Sequence, residues 1–435
     1  MSQSRINLSK SAVAAWSRLT AGIFGRGALS FLVATAGVNV SNFLFHIFVS
    51  RLLGPAHYGV VGAILSILSL LAVPVGAAQL AVTQAVIGHG LSNPPYSLGK
   101  VTKRAFIGGL VAMCMFAGLT PLLDGFLRVG SPWPLLLVST WIPLATVAAV
   151  LQGALIGEYR FRSVAFAMGV GGGPVRLILG VVMVSAGFGV KGAVVATILA
   201  QAFTTGSLLF SARNDLRSHQ EGPVIRTSTR DMTLSIAALA SYTSLIGVDT
   251  FLARHFLAPT VAGKYAAGAV AGHIALFVPS ALVTVAFPHL ADGKGVSTSG
   301  RRVLMQALKI TIILGLIVAT GLTLFSSLVI HLLFGSHYNG AISIVGLLSF
   351  ASAVIGVVIV FTYFHLARRS LLALVPWLGV AIAVLLISIH HQTKFSVAAI
   401  MLLVSLLTLV GVGIPALRAL AVAAAKDIPE RNCLD

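Results

Sequence analysis

The sequence predicts an all-α polytopic membrane protein, with about 12 transmembrane helices in two six-helix lobes related by a parallel internal repeat. Three observations lead there. Of 435 residues, 57% are apolar and 9% charged, with a mean hydropathy of +0.99, whereas soluble domains carry about 25% charged residues. The basic residues fall between long apolar runs. The two halves also share motifs at nearly one offset.

A span needs about 20 mostly apolar residues. Turn chemistry and charge clusters bound such stretches near 28–50, 58–88, 104–123, 133–156, 164–187 and 190–212, then near 232–256, 262–290, 304–334, 340–366, 371–389 and 395–422. Ahead of the first, Val13, Trp16, Leu19 and Ile23 recur at helical spacing among Lys10, Arg18 and Arg26, the pattern of an interfacial amphipathic helix. The longest polar break, Arg213 to Asp231, separates the halves. The expected organisation is therefore an amphipathic segment (1–27), an N-lobe (28–212), a linker (213–231), a C-lobe (232–422) and a tail (423–435).

Of the 29 Lys and Arg, 22 fall in the termini and alternate loops, six in the opposite loops, and Arg176 inside a span. By the positive-inside rule both termini are cytoplasmic. The formal charge of +19 then answers to orientation and anionic headgroups. Nucleic-acid binding is excluded because no basic patch is interleaved with an aromatic stacking platform. Cys114 and Cys433 are the two cysteines, too few for a disulfide framework or a Cys-based metal site. An enzyme is not expected. His390 and His391 are adjacent, so their side chains point about 100° apart on a helix, and Asp124 alone supplies an acid to the outward loops.

The repeat is read from matched motifs. Arg51-Leu-Leu-Gly-Pro-Ala-His-Tyr58 closes span one, and Arg254 to Tyr265 closes span seven, with the two arginines 203 residues apart. Pro74 and Pro279 follow at similar distances, and Arg162-Ser163 matches Arg369-Ser370 at an offset of 207. Because each half holds an even number of spans, both enter the membrane in the same sense, and such lobes can rock about a central cavity.

Phe48-Val-Ser-Arg-Leu-Leu-Gly-Pro-Ala-His-Tyr-Gly59, the segment Asp249 to Tyr265, and Leu333-Phe-Gly-Ser-His-Tyr338 resemble the polysaccharide flippases, the Wzx-like O-antigen and oligosaccharide transporters of the MOP superfamily. That superfamily also contains the MATE exporters and the lipid II flippase MurJ. The resemblance implies two six-helix bundles in a V, with spans 1, 2, 7 and 8 lining the cavity. It implies a bacterial cytoplasmic (inner) membrane protein, a monomer without cofactor, that flips a polyprenyl-linked glycan to the outer leaflet and works beside glycan-assembly enzymes and membrane lipids. A MATE-like cation antiporter and a non-transporting scaffold are the alternatives.

Charged groups inside a span cost about 2.5 to 3.5 kcal/mol on insertion scales, so Arg176 and Asp249 each need a reason. Arg176 follows Gly169, Gly171, Gly172, Gly173 and Pro174, a run that disfavours a regular helix. Its guanidinium can hold phosphate through paired hydrogen bonds or cap the carbonyls of a broken helix. Asp249 lies in span seven, and at the offset of 203 its counterpart is His46. Facing each other across the pseudo-twofold axis, the two can bind and release a proton. Na+ held by Asp249 with Thr250 or Ser244 is a second possibility, and a fixed pair with Arg254 or Lys264 a third.

Asn39, Asn42, Gln79, Gln84 and His273 stand on spans one, two and eight, which the resemblance implies border the cavity. Amides donate and accept as sugar hydroxyls require, although interhelical hydrogen bonding is the plainer use of each. Arg51 and Arg254 can receive phosphate or anchor helix ends, with the anchor role favoured.

Overall fold

The computed structural model describes residues 26–89, 97–217, 229–276 and 298–426. Nearly all of the amphipathic N-terminal segment, most of the linker, residues 277–297 (the second half of span eight and the loop after it) and residues 427–435 of the tail lie outside the described residues.

Helix α1 (Arg26–His89) carries spans one and two as two legs broken at Gly54, whose φ of 70° and ψ of 170° leave the helical region. Glycine reaches that conformation without strain, and Pro55 starts the second leg where its missing N–H costs nothing. The N-lobe continues with α2 (Leu98–Leu127), α3 (Trp133–Ser139), α4 (Trp141–Gly157), α5 (Phe161–Val170), α6 (Arg176–Met183), α7 (Gly189–Ser211) and the short α8 (Arg213–Arg217). A π-helical turn, Gly171–Val175, joins α5 to α6, and a second, Val184–Phe188, leads into α7 through Gly187 at φ 91°.

The C-lobe comprises α9 (Thr229–Phe256), α10 (Pro259–Gly272), α11 (Thr298–Leu324), α12 (Ser326–Leu333), α13 (Ile342–Ala367), α14 (Val375–Ile389) and α15 (Lys394–Lys426). Among the described residues nine helical stretches are long and apolar enough to cross a membrane, and two of them, Gly37–Thr83 and Phe161–Ser211, run to 47 and 51 residues. Each of those two crosses twice, since about 20 residues suffice for one crossing. The described part of span eight is α10 and the tight turn His273–Leu276.

Burial follows the repeat. Among the nine described stretches the fourth span of each lobe is the most enclosed, with 67% of the apolar window of Trp133–Gly157 and 78% of that of Ser336–Ala367 buried inside the protein, against 17% for Leu98–Leu127. A helix buried on all sides is apolar all round. In α4 the run Ala145, Val147, Ala148, Val150 and Leu151 lies wholly within the core. Lipid-facing helices instead leave large apolar side chains exposed, such as Met115 and Leu122 of α2, where acyl chains replace protein.

The lobes meet through small residues. A Cβ on Gly59 would stand 3.0 Å from the Gly263 nitrogen, one on Gly62 would stand 3.1 Å from the Ala266 Cβ, and one on Gly263 would overlap the Pro55 carbonyl. Backbones approach this closely only where side chains are minimal. The contact lies toward the end of the bundle away from Arg26, called the distal end below. There Tyr338 Oη donates to the Ser50 carbonyl (2.7 Å), and Tyr58, Phe334 and Tyr338, all buried, pack edge-on and tilted at 5.7 to 6.4 Å.

The opposite, proximal end is tied within the N-lobe. Arg160 donates to Asp215 (2.6 Å) and Glu158 (3.2 Å) and to the Ser211 carbonyl. This joins the loop between spans four and five to the end of span six. Partial burial and the neighbouring Asp215 raise the Glu158 carboxyl above its ordinary range, and the Arg160 hydrogen bond offsets part of that rise.

Candidate functional site

Two adjoining cavities share His46, Leu65 and Ser69. The first, about 360 Å³, lies inside the N-lobe, and its polar wall includes Asn42, His46, Ser69, Arg176, Thr197, Gln201 and Thr204. The second, about 270 Å³, lies between the lobes, with His46, Ser66, Ser69, Thr243, Thr250 and His273 as its polar groups. Among the described residues no acidic side chain lines either one.

The glycine run before Arg176 bends the helix without unwinding it. Gly171 packs against Thr204 of α7 and Gly173 against Ser41 of α1, where a Cβ would stand 3.2 Å from the Ser41 hydroxyl. The π-helical turn at this run inserts extra backbone and so re-aims the face of α6. Arg176 emerges toward α1. Its Nη1 donates to the Asn42 Oδ1 (2.8 Å), its guanidinium carbon sits 4.4 Å from the centroid of the Phe45 ring, and its Nε is buried without a partner. The cation is thus stacked on an aromatic face and held by an amide, with donor capacity still unused.

His46 lies one turn beyond Asn42 on the same face of α1. Its Nδ1 is 2.9 Å from the Tyr58 hydroxyl, leaving Nε2 for the cavity. Asp249 is 2% exposed and is not among the lining residues, although its neighbour Thr250 is. Its Oδ2 accepts from the Tyr265 hydroxyl (2.8 Å) and its Oδ1 from the Thr250 backbone N–H (2.6 Å) and hydroxyl (3.3 Å).

His46 and Asp249 are each hydrogen-bonded to the tyrosine of the following span in their own lobe, Tyr58 and Tyr265, so the repeat places them in matched local settings. Asp249 does not pair with Arg254 or Lys264, because Arg254 turns to carbonyls of the N-lobe. Ser244 is close in sequence to Asp249, and its hydroxyl is buried without a partner.

The remaining sequence candidates divide. His273 lines the cavity between the lobes, where α10 tightens into the turn His273–Leu276. Asn39 is half-buried one turn before Asn42, outside the cavity walls. Gln79 lies on the second leg of α1, where its carbonyl accepts from Thr83 (3.0 Å) and abuts Gly153 of α4. The side chain of Gln84 is outside the described residues.

Arg51 and Arg254 stand at the distal end, away from both cavities, and each caps a helix of the other lobe. Arg51 donates from Nε to the Leu333 carbonyl (3.0 Å) and also reaches the Leu332 carbonyl. Arg254 donates to the carbonyls of Leu127 (2.9 Å) and Arg128 (2.7 Å). Sequence reasoning missed Ser66, Ser69, Trp141, Gln201, Thr204 and Thr243 in the walls. Gln201 had a signal, an amide in the middle of span six. A hydroxyl in an apolar run carries none, since it can bond its own helix.

Comparison with known proteins agrees with this architecture. A solved inward-facing multidrug-resistance MATE transporter of the MOP superfamily is 16% identical, covering 90% of this chain and 96% of that one at a TM-score of 0.70. An outward-facing MATE structure, also 16% identical, covers 91% and 95% at 0.60. A MOP-superfamily transporter from Pyrococcus furiosus, described as having a binding pocket of reversed polarity that suggests a different function, is 15% identical and covers 91% and 94% at 0.60. At such identities the likeness is one of fold. No curated protein sequence matches significantly. The family model described as polysaccharide biosynthesis protein matches residues 48–343. That match spans more than half of the sequence and reaches into both lobes, and the chain is a multi-pass membrane protein that belongs to the polysaccharide biosynthesis family.

Proposed function

We propose that the protein is a flippase that moves a polyprenyl-phosphate- or pyrophosphate-linked sugar or oligosaccharide from the cytoplasmic to the outer leaflet by alternating access. The observation that carries this reading is Arg176, a cation inside the N-lobe cavity whose Nε is buried without a partner. A phosphate oxygen in the cavity can accept from the guanidinium N–H groups that Asn42 leaves unused, and a planar guanidinium suits phosphate better than a point charge does. Among the described residues the adjoining cavity offers hydroxyls and imidazoles, the chemistry that recognises neutral sugar hydroxyls. The glycan headgroup would occupy these cavities while the lipid tail stays in the bilayer.

Contacts between the lobes at the distal end fit a carrier that loads from the proximal side. With both termini in the cytoplasm, as the distribution of Lys and Arg implies, that side is cytoplasmic and the membrane is the bacterial inner membrane. Glycan-assembly enzymes would supply the cargo. Proton or Na+ coupling through Asp249 would act behind the cavity wall, through Thr250 and Tyr265.

The MATE-like antiporter reading is disfavoured by the cavity chemistry. An organic cation calls for acids in the walls, and these walls contain an arginine instead. A scaffold has no use for a buried cation.

Mass spectrometry of polyprenyl-linked glycans in cells depleted of the protein tests the proposal. One lipid-linked species should accumulate, still exposed to the cytoplasm. Arg176→Ala, expressed at the normal level, should fail to relieve that accumulation. Absence of accumulation together with new sensitivity to cationic drugs would move the function to drug export.

A further inference from the structure

A groove of about 760 Å³ runs between α5 and α7 and is lined by Arg162, Phe166, Phe203, Gly206, Ser207 and Phe210. It uses a different face of α7 from the N-lobe cavity, turned roughly 100° about the helix axis from the wall formed by Ala200, Gln201 and Thr204. From Phe203 to Ser211 it follows roughly 12 Å of helix at 1.5 Å per residue, enough for much of one acyl chain. Phe166 and Phe210 are 59% and 68% exposed within it. Arg162 stands at the start of span five and Arg213 just past the end of span six, so both mark the proximal mouth. The Arg213 guanidinium lies 4.3 Å over the centroid of the Phe210 ring. Among the described residues the nearby acids Glu158 and Asp215 both pair with Arg160, so Arg162 and Arg213 give the mouth a positive charge.

We propose that this groove is a binding site for an anionic glycerophospholipid. One acyl chain lies along Phe166, Phe203 and Phe210, and the headgroup phosphate sits between Arg162 and Arg213. A cationic mouth above an apolar trough is complementary to a negatively charged lipid rather than a zwitterionic one. Gly206 keeps the trough open, since a Cβ there meets nothing within 4 Å. The site is independent of the flippase reading, because none of its residues lines a cavity.

Native mass spectrometry of the full chain with equimolar phosphatidylglycerol and phosphatidylcholine tests this. The protein should retain phosphatidylglycerol preferentially. The double variant Arg162→Gln and Arg213→Gln should lose that preference by roughly thirtyfold, at about 1 kcal/mol for each of the two cations near a membrane surface. Gly206→Leu, which fills the trough with both arginines intact, should displace the lipid while thermal melting stays unchanged. Equal retention of the two lipids, or a preference that survives both variants, would overturn the proposal. Polyprenyl phosphate outcompeting phosphatidylglycerol in a manner abolished by Gly206→Leu would also overturn it and assign the groove to the carrier lipid.

Discussion

Arg51 and Arg254, 203 positions apart, make one contact in opposite directions. Arg51 of the N-lobe caps the carbonyls at the end of α12, in the third span region of the C-lobe, and Arg254 of the C-lobe caps the end of α2, the third span of the N-lobe. The last carbonyls of a helix have no partner within it and carry partial negative charge, so a guanidinium from outside satisfies them twice over. The pair forms a reciprocal clasp at the distal end, reinforced by His255, whose ring stacks 3.9 Å from that of Phe126.

The halves of this clasp differ in burial. Arg254 is 5% exposed, whereas Arg51 is exposed. Hydrogen bonds from a charged group contribute about 1.5 to 3 kcal/mol when buried and less when water competes. Arg254→Ala should therefore widen the distal end and lower the melting temperature clearly, with Arg51→Ala doing so weakly. Spin-label distances between the distal loops of the two lobes would show it, and equal effects of the two variants would disprove the burial argument.

The glycine crossing should be intolerant in a graded way. Gly263→Ala meets the Pro55 backbone, which cannot retreat as a side chain can, while Gly59→Ala meets Gly263 at 3.0 Å. Gly118→Ala, with nothing within 4 Å, serves as the neutral control. Transport and melting should fall in the order Gly263, then Gly59, with Gly118 unchanged. A tolerated Gly263→Ala would mean that the lobes do not pass through this closed arrangement.

Asp249 and Tyr265 can be separated by paired substitutions. Tyr265→Phe removes the donor to Oδ2 and keeps the ring, whereas Asp249→Asn removes the charge and keeps an acceptor. If Asp249 couples an ion, Asp249→Asn should flatten the proton or Na+ dependence of transport, and Tyr265→Phe should shift that dependence without removing it. An unchanged ion dependence in Asp249→Asn protein of normal abundance would take Asp249 out of the mechanism.

Glu158 provides a pH test outside the membrane. Burial is the largest influence on its carboxyl and raises it, so between its unfolded and folded values the folded state binds more protons than the unfolded one. Stability must then fall as pH rises through that interval. Glu158→Gln should remove this dependence and melt higher than the native chain at neutral pH, with the difference shrinking in acid. Arg160 keeps Asp215 as its partner in that variant. A lower melting temperature at pH 7 would show that the Glu158–Arg160 bond outweighs desolvation.

How far the site could be read in advance varies by residue. Arg176 and Asn42 were both visible as polar groups in apolar runs, and their contact follows from helices α1 and α6 turning matching faces inward. His46 and Asp249 were visible as counterparts, but their partners were not. Four extra residues between Arg254 and Tyr265, relative to Arg51 and Tyr58, hide the equivalence of the two tyrosines, and packing alone reveals it. Asn39 and Gln79 look as promising as Asn42 in sequence, yet they lie outside the cavity walls because a helix presents only part of its circumference to a cavity.

Hydropathy, turn residues and the count of basic loops are local properties of the chain. The sequence by itself therefore determined the membrane class, the places where the spans break, the division into two lobes and their common sense of insertion. Facing is a different kind of property, set by the rotation of each helix about its axis and by small-residue crossings such as Gly59 with Gly263. Only the tertiary structure decided that Arg176 enters a cavity, that Asp249 lies behind a wall, and that Arg51 and Arg254 clasp opposite lobes, because each depends on a neighbour from a distant part of the chain.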